Sequence, residues 1–328
     1  MVDPAENPAC VPWWHRIFGL REIAADSFET EPISSGLPRL YGGQVGAQSL
    51  LAAAATVDSG RSPHSLHTSF LHAGIDTRAV GYEVEQMRDS RSMSTRLVTA
   101  RQDGRTLATS VASFHAAPTG DLQPSIEHEW PPAHGVPVPP PRDPDTLPSR
   151  WTSLRDRYGD DVPSEAAPRW PVDLRYVDHV PWRDSVAPPR NRIWLRAIGY
   201  PHEIAGADVA ALAFATDLPM FEPVYFPTGI PWRDMIGHTA LLGATLNHSV
   251  WVHRPAPVDD WLLLEQFAPI AHGYRAFCRG ELRTRSGQLV ATVAQEMVFV
   301  APRAQQSDAG TVRCHDGPTR VARGTTCR

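Results

Sequence analysis

Apolar positions along the chain follow two periods. Runs in which every second residue is apolar predict strands at 20–31, 64–71, 80–88, 93–102 and 106–115. Asp103-Gly104, between the last two, accepts positive φ at both positions and predicts a tight hairpin. Between the first two strands, GGQVGAQSLLAAAATV (42–57) is rich in Ala and Leu and carries almost no charge. That composition predicts a helix buried on all sides rather than along one stripe. One helix followed by an antiparallel meander is an α+β pattern.

The same order returns in the second half. Strands are predicted at 172–180 and 193–199, a buried helix over DVAALAFATDL (208–218), then strands at 245–253, 261–267, 274–283 and 289–300. Ser286-Gly287 marks the last hairpin. RLVTARQDGRTLATSVASF lies over RGELRTRSGQLVATVAQEMVF with Gly104 on Gly287, and HTSFLH lies over HSVWVH with His67 on His248. Repetition in both sequence and element order predicts one fold used twice. The predicted organisation is a unit at 14–117, a linker at 118–168, a second unit at 169–302 and a tail at 303–328. The linker begins with ten prolines between 118 and 148, a composition suited to an extended connector; a short helix is predicted at 151–158. The tail is rich in Gly, Thr, Arg and Gln and is expected to be disordered.

A length of 328 residues, with 42% hydrophobic content, supplies core enough for two domains. The formal net charge of −5 argues against a nucleic-acid partner. No apolar run approaches eighteen residues, so no membrane span is expected. All 31 basic residues are Arg, which excludes a Schiff-base lysine and a Walker lysine. Cys10, Cys278, Cys314 and Cys327 are scattered without a CxxC pair, and the first residues show no secretory pattern. A reducing, cytoplasmic setting is expected.

No GxSxG, HExxH, GxxxxGK[ST] or GxGxxG occurs, and His202-Glu203, read as a helix start, lacks a second His. No metal or cofactor is expected. Three polar residues stand out against apolar neighbours. Gln295 shares a strand face with Val293, Met297 and Phe299, and a buried amide needs partners. Asp217 closes VAALAFATD just before Leu218-Pro219. Burial and a helix C-terminus both raise a carboxylate pKa, which suits a base or a water-orienting group. Thr245 opens a strand and supplies a hydroxyl.

Several segments, in order, resemble the acyl-CoA thioesterase II family, whose subunit is a double hotdog. They are YGGQVGAQSL (41–50), HSLHTSFLHAG (64–74), RDSRSMSTRLVTARQDG (88–104), ATDL (215–218), ATLNHSVWVHRP (244–255) and GQLVATVAQE (287–296). The resemblance implies two antiparallel sheets, each wrapped around a central helix. It implies a catalytic trio of Asp217, Thr245 and Gln295 that holds a water against an acyl-CoA thioester, with no acyl-enzyme. It also implies that the GGQ turn, through Gly43 and Gln44, shapes the substrate cleft. The chain departs from the family at His72-Ala73-Gly74, where Arg-Pro-Gly is common, and at Arg88-Asp89-Ser90, where Arg-Asp-Gly is common. The expected partner is acyl-CoA, its phosphates met by arginines, and further self-association as a homodimer or larger homo-oligomer is expected. Two rival readings are a non-catalytic acyl-CoA-binding protein and a hotdog enoyl-CoA hydratase; the Asp-x-Asn-Pro-x-His run of the latter is absent.

Overall fold

Alternation along the chain is realised as one long antiparallel sheet. The computed structural model describes residues 13–33, 39–116, 143, 144, 147, 149, 171–180, 186–228 and 242–300. The rest of the 118–168 stretch, the 151–158 helix and the 303–328 tail lie outside the described residues. Strands are β1 Leu20–Ala24, β2 Ser27–Thr30, β3 Arg61–Phe70, β4 Val80–Asp89, β5 Met93–Gln102, β6 Arg105–Ala116, β7 Val172–Tyr176, β8 Arg190–Ala197, β9 Leu242–Val252, β10 Leu262–His272, β11 Arg275–Thr284 and β12 Leu289–Val300. Their order in the sheet is β1-β2-β4-β5-β6-β3-β9-β12-β11-β10-β8-β7. Read from either edge, the two halves follow the same path, so β3 answers β9, β6 answers β12 and β5 answers β11. The halves join where β3 pairs with β9, with Leu66 opposite Val250 and Thr68 opposite His248. The inner edge of each half is thereby covered by the other.

The helices are α1 Trp13–Ile17, α2 Gly42–Ala54, α3 Ala207–Asp217 and α4 Glu222–Tyr225. α2 and α3 are the two central helices, and they lie side by side against the sheet. Their near-total burial follows from their composition: Ala47, Leu50, Ala52 and Ala53 in one, and Ala210, Ala211, Leu212 and Ala213 in the other, are sealed from solvent. Small side chains at the contact let the two backbones approach closely.

The structure differs from the sequence expectations at four places. Residues 20–31 form a hairpin rather than one strand, turning at Asp26, which takes a φ of 56°. The first unit, expected from residue 14, begins one residue earlier: Trp13 opens α1, and Trp14 packs against Phe18 and the Phe214 ring of α3. His202-Glu203 lies in turns, and α3 begins only at Ala207. The fourth difference is one of register. In β9–β12 His248 pairs with Gln295 and, past a bulge, Thr245 with Met297. In β3–β6 Leu66 pairs with Ala112 and, past a bulge at the same place, Pro63 with Phe114. The counterpart of His248 is therefore Leu66, not His67. His67 faces outward and meets the Trp251 ring edge-on at 5.0 Å. A slip of one residue moves a side chain to the other face of a strand, and the sequence overlay contains that slip.

Candidate active site

Asp217 is the last residue of α3. Pro219 does not stop the chain before it: Leu218 keeps helical dihedrals, and the backbone runs on into a 3₁₀ turn at Pro219–Phe221. The carboxylate is 3% exposed. It receives two donors, the Gly43 N–H at 2.8 Å on Oδ2 and the Thr245 hydroxyl at 3.1 Å on Oδ1. Gln295 Nε2 in turn donates to Thr245 Oγ1 at 3.2 Å. Asp217, Thr245 and Gln295, far apart in sequence, thus form one hydrogen-bonded chain. Thr245 is partly exposed while Gln295 is sealed, so access from solvent is on the Thr245 side.

Two helix ends meet at this carboxylate. α2 presents its N-terminal N–H groups, whose partial positive charge favours an anion, while the C-terminus of α3 opposes it. Burial dominates the balance. It raises the Asp217 pKa to about 6 against the lowering effects of the Thr245 and Gly43 hydrogen bonds. The group is ionised at neutral pH yet basic enough to accept a proton.

Glycine is needed at the junction for close approach. A Cβ on Gly42 would lie 2.9 Å from Asp217 Oδ2, and one on Gly43 would lie 2.8 Å from the Phe214 carbonyl oxygen. The Gly43 N–H is committed to Asp217. Gln44 is buried at 3% exposure, and neither its side chain nor its N–H is hydrogen-bonded to a described residue. Tyr41 was not singled out from the sequence. Its hydroxyl donates to the Phe214 carbonyl at 2.6 Å and accepts the Leu218 N–H at 3.0 Å, fastening the end of α3 to the start of α2. Only the tyrosine beside the GGQ turn hinted at this. His248, which pairs with Gln295, and Thr216, in contact with His248, are buried as well and were missed.

The opposite end of the helix pair is the mirror of this one. There Gly206 approaches Ala54 and Pro63, each at 3.5 Å from where its Cβ would be. Pairing places Pro63 where Thr245 stands and Ala112 where Gln295 stands. The carboxylate, hydroxyl and amide are thus replaced by Ala54, Pro63 and Ala112. Among the described residues, no group of His, Cys, Asp and Glu could hold a metal ion.

Two helix-wrapped half-sheets sharing one β-sheet define a double-hotdog protein. Comparison with known proteins agrees. Residues 30–115 match the family profile described as acyl-CoA thioesterase N-terminal domain, and residues 132–299 match the C-terminal domain. Human acyl-coenzyme A thioesterase 8 is 32% identical over 89% of this chain and 90% of its own. Acyl-CoA thioesterase 2 of Haemophilus influenzae is 28% identical over 82% and 90%. The crystal structure of an acyl-CoA thioesterase II from Mycobacterium marinum superposes with a TM-score of 0.66 at 29% identity, covering 88% of this chain and 98% of that one. The chain belongs to the acyl-CoA thioesterase II family and is a thioester hydrolase. Among the described residues no helix is long and apolar enough to cross a membrane.

Proposed function

We propose that the protein hydrolyses acyl-CoA to a free fatty acid and CoA with a water activated by Asp217. The observation that carries this reading is the continuous chain from Gln295 through Thr245 to a buried carboxylate whose pKa lies near 6. A water beside Thr245 gives its proton to Asp217 as its oxygen attacks the thioester carbonyl carbon. The oxyanion forms near the N-terminus of α2, where the Gln44 N–H is available to it. Collapse breaks the C–S bond, and the proton on Asp217 passes to the departing CoA sulfur. Thr245 donates to Asp217 and accepts from Gln295, which fixes its hydroxyl beside the carboxylate where the water is to be held. No acyl-enzyme is required.

Release of free thiol from a panel of acyl-CoAs between pH 5 and 9 tests this. A general base must be unprotonated, so kcat should fall with an apparent pKa near 6 as the pH drops and level off above it. Rapid quench should trap no acylated chain. Tight binding without thiol release would establish the non-catalytic alternative. The permanently charged side chains available for the CoA phosphates are arginines alone. Apparent KM should therefore rise from low to high salt while kcat holds; a flat KM would remove the arginines from substrate capture.

We read the chain as further self-associated, because Trp251 and Val111 leave apolar surface on the outer sheet face at the junction. Sedimentation velocity measures this directly. We further read the setting as cytoplasmic, which fractionation of the native cell tests.

A further inference from the structure

A sheet face that meets water carries polar and charged side chains, and the outer face of this sheet is charged only toward its sides. β4 presents Glu85 and Arg88 there, and β11 presents Arg279 and Glu281. Between them, the strands β5, β6, β3, β9 and β12 offer two adjacent rows without a carboxylate or a guanidinium. One row is Leu97, Val111, His67, Ser249 and Ala294. The row beside it is Thr95, Ser113, Ser65, Trp251 and Thr292. Val111 and Trp251 stay exposed, at 38% and 37%. Depletion of charge from the middle of an accessible face, with an aromatic kept in it, is the composition of an interface centre.

The strip is balanced about β3, with three strands on either side out to the charged margins. Its two flanks also complement each other. At equal distance from β3, Leu97 is answered by Ala294, Val111 by Ser249 and Trp251 by Ser113, large by small each time. At the margins Glu85 is answered by Arg279, and Arg88 by Glu281. A surface of this kind fits a second copy of itself turned over onto it.

We propose that two copies of the chain pack outer face to outer face about a twofold axis along β3, with the two His67 side chains meeting at the axis and the pairing lost on acidification. The inference rests on the reading of the chain as self-associated. Turning one copy over about β3 sets β6 on its partner's β9, β5 on its β12 and β4 on its β11. Each large side chain then falls over a small one, and each marginal charge falls toward its opposite. Packed sheets keep their strands within about 30° of each other, so the match is tightest at the centre, and the long Arg and Glu side chains span the margins.

His67 is the titratable group of the two rows. His64 stands on the same strand, and β6 adds His115, whose ring lies edge-on to His64 at 6.5 Å. Burial lowers the His67 pKa; burial, then the His115 and His67 rings, lower that of His64. Both are neutral at pH 7. β9 sets Ser249 beside His67, and its His253 is bonded to Thr292 at 2.8 Å. Glu296 of β12 lies one row away and is held by Arg275. Among the described residues no carboxylate on β6 or β9 faces His67 to take up a positive charge. Pairing buries the imidazole further, so the paired form binds fewer protons than the separate chains. The pairing is at full strength above the ordinary histidine value of 6.5 and is lost as the pH falls below it.

The test is sedimentation velocity of the full chain at pH 8 and pH 5.5, with circular dichroism to check folding. Wild type should pair at pH 8, and its dissociation constant should rise by about tenfold or more at pH 5.5. His67→Gln keeps a neutral amide at the axis and should pair at both pH values. His67→Arg brings two permanent charges together and should be unpaired at both. Arg279→Glu sets Glu against the partner's Glu85 and should weaken pairing at pH 8 by about tenfold or more; adding Glu85→Arg should restore it. Damage to the fold would not give that restoration, which decides the matter if a His67 variant fails to fold. A wild type that is unpaired at pH 8 overturns the reading of self-association and this inference with it. A wild type that pairs while His67→Arg pairs equally well, or while the double variant stays weak, overturns this inference alone. Loss of pairing by His67→Gln at pH 5.5 would place the acid-sensitive group elsewhere and overturn the role of His67.

Discussion

Asp217→Asn should leave a folded protein whose kcat is lower by about 10²–10⁴-fold, the usual worth of a general base. Asn keeps the shape, and its carbonyl oxygen still accepts the Gly43 N–H, but it takes no proton from water at neutral pH. Stability should move the other way. The fold raises the Asp217 pKa to about 6, so the native state disfavours the charged form relative to the unfolded chain. The stability that this carboxyl contributes is present below its unfolded pKa and is lost as the pH rises through 6. At pH 8 the Asn variant should therefore melt at or above wild type, and the gap should close as the pH falls toward 4. Calorimetry at both pH values, paired with thiol release, reads both effects. Wild-type turnover in the variant would move the base elsewhere. A melting point well below wild type at pH 8 would show that the carboxylate is held more favourably than its burial implies.

The second large effect is expected from Gly43→Ala. Alanine is the better helix former, by about 0.8–1.0 kcal/mol at an exposed interior position. Here the added Cβ would lie 2.7 Å from the Tyr41 ring and 2.8 Å from the Phe214 carbonyl oxygen. That ring is pinned by two hydrogen bonds and that oxygen is backbone, so neither can swing away. Overpacking of this kind costs about 1–3 kcal/mol, enough to outweigh the helix gain. The start of α2 must move off the end of α3 and carry its N–H away from Asp217. We expect melting to fall by several degrees. Turnover should fall more than tenfold, since donors aimed at reacting groups are worth more than that. Gly60→Ala, with nothing near its Cβ position, should be silent in both. Wild-type melting and turnover in Gly43→Ala would mean that the contact between the helix ends is not tight in solution.

Much of this architecture was legible because strands announce themselves by alternation and these two helices by an unbroken Ala-rich, uncharged composition. β5 and β12 begin and end where the pattern does. Gln295 was legible as well, a lone amide on an apolar face. What escaped depends on pairing between distant segments. The pairing of β3 with β6 and of β9 with β12 leaves no local mark, so His67 was laid over His248 when its true counterpart is Ser249 and it faces outward. His248 itself looks ordinary until β12 is placed beside it. The bond from Gly43 to Asp217 escaped because the sequence does not show that α2 begins where α3 ends. Tyr41 has meaning only through the same encounter.

The mirrored end of the helix pair, built from Ala54, Pro63 and Ala112, bears on how such a molecule changes over time. Two identical subunits around a true twofold axis would carry every substitution twice, so a residue could not be improved at one end and relaxed at the other. Tethering both copies in one polypeptide removes that constraint. One end keeps the polar set, and the other is free to become apolar filling that steadies the helices. The surviving site still draws on both halves, with the carboxylate from one and its backbone donor from the other. Neither half is complete without its neighbour, and any division of the chain into two polypeptides would have to keep them in equal supply.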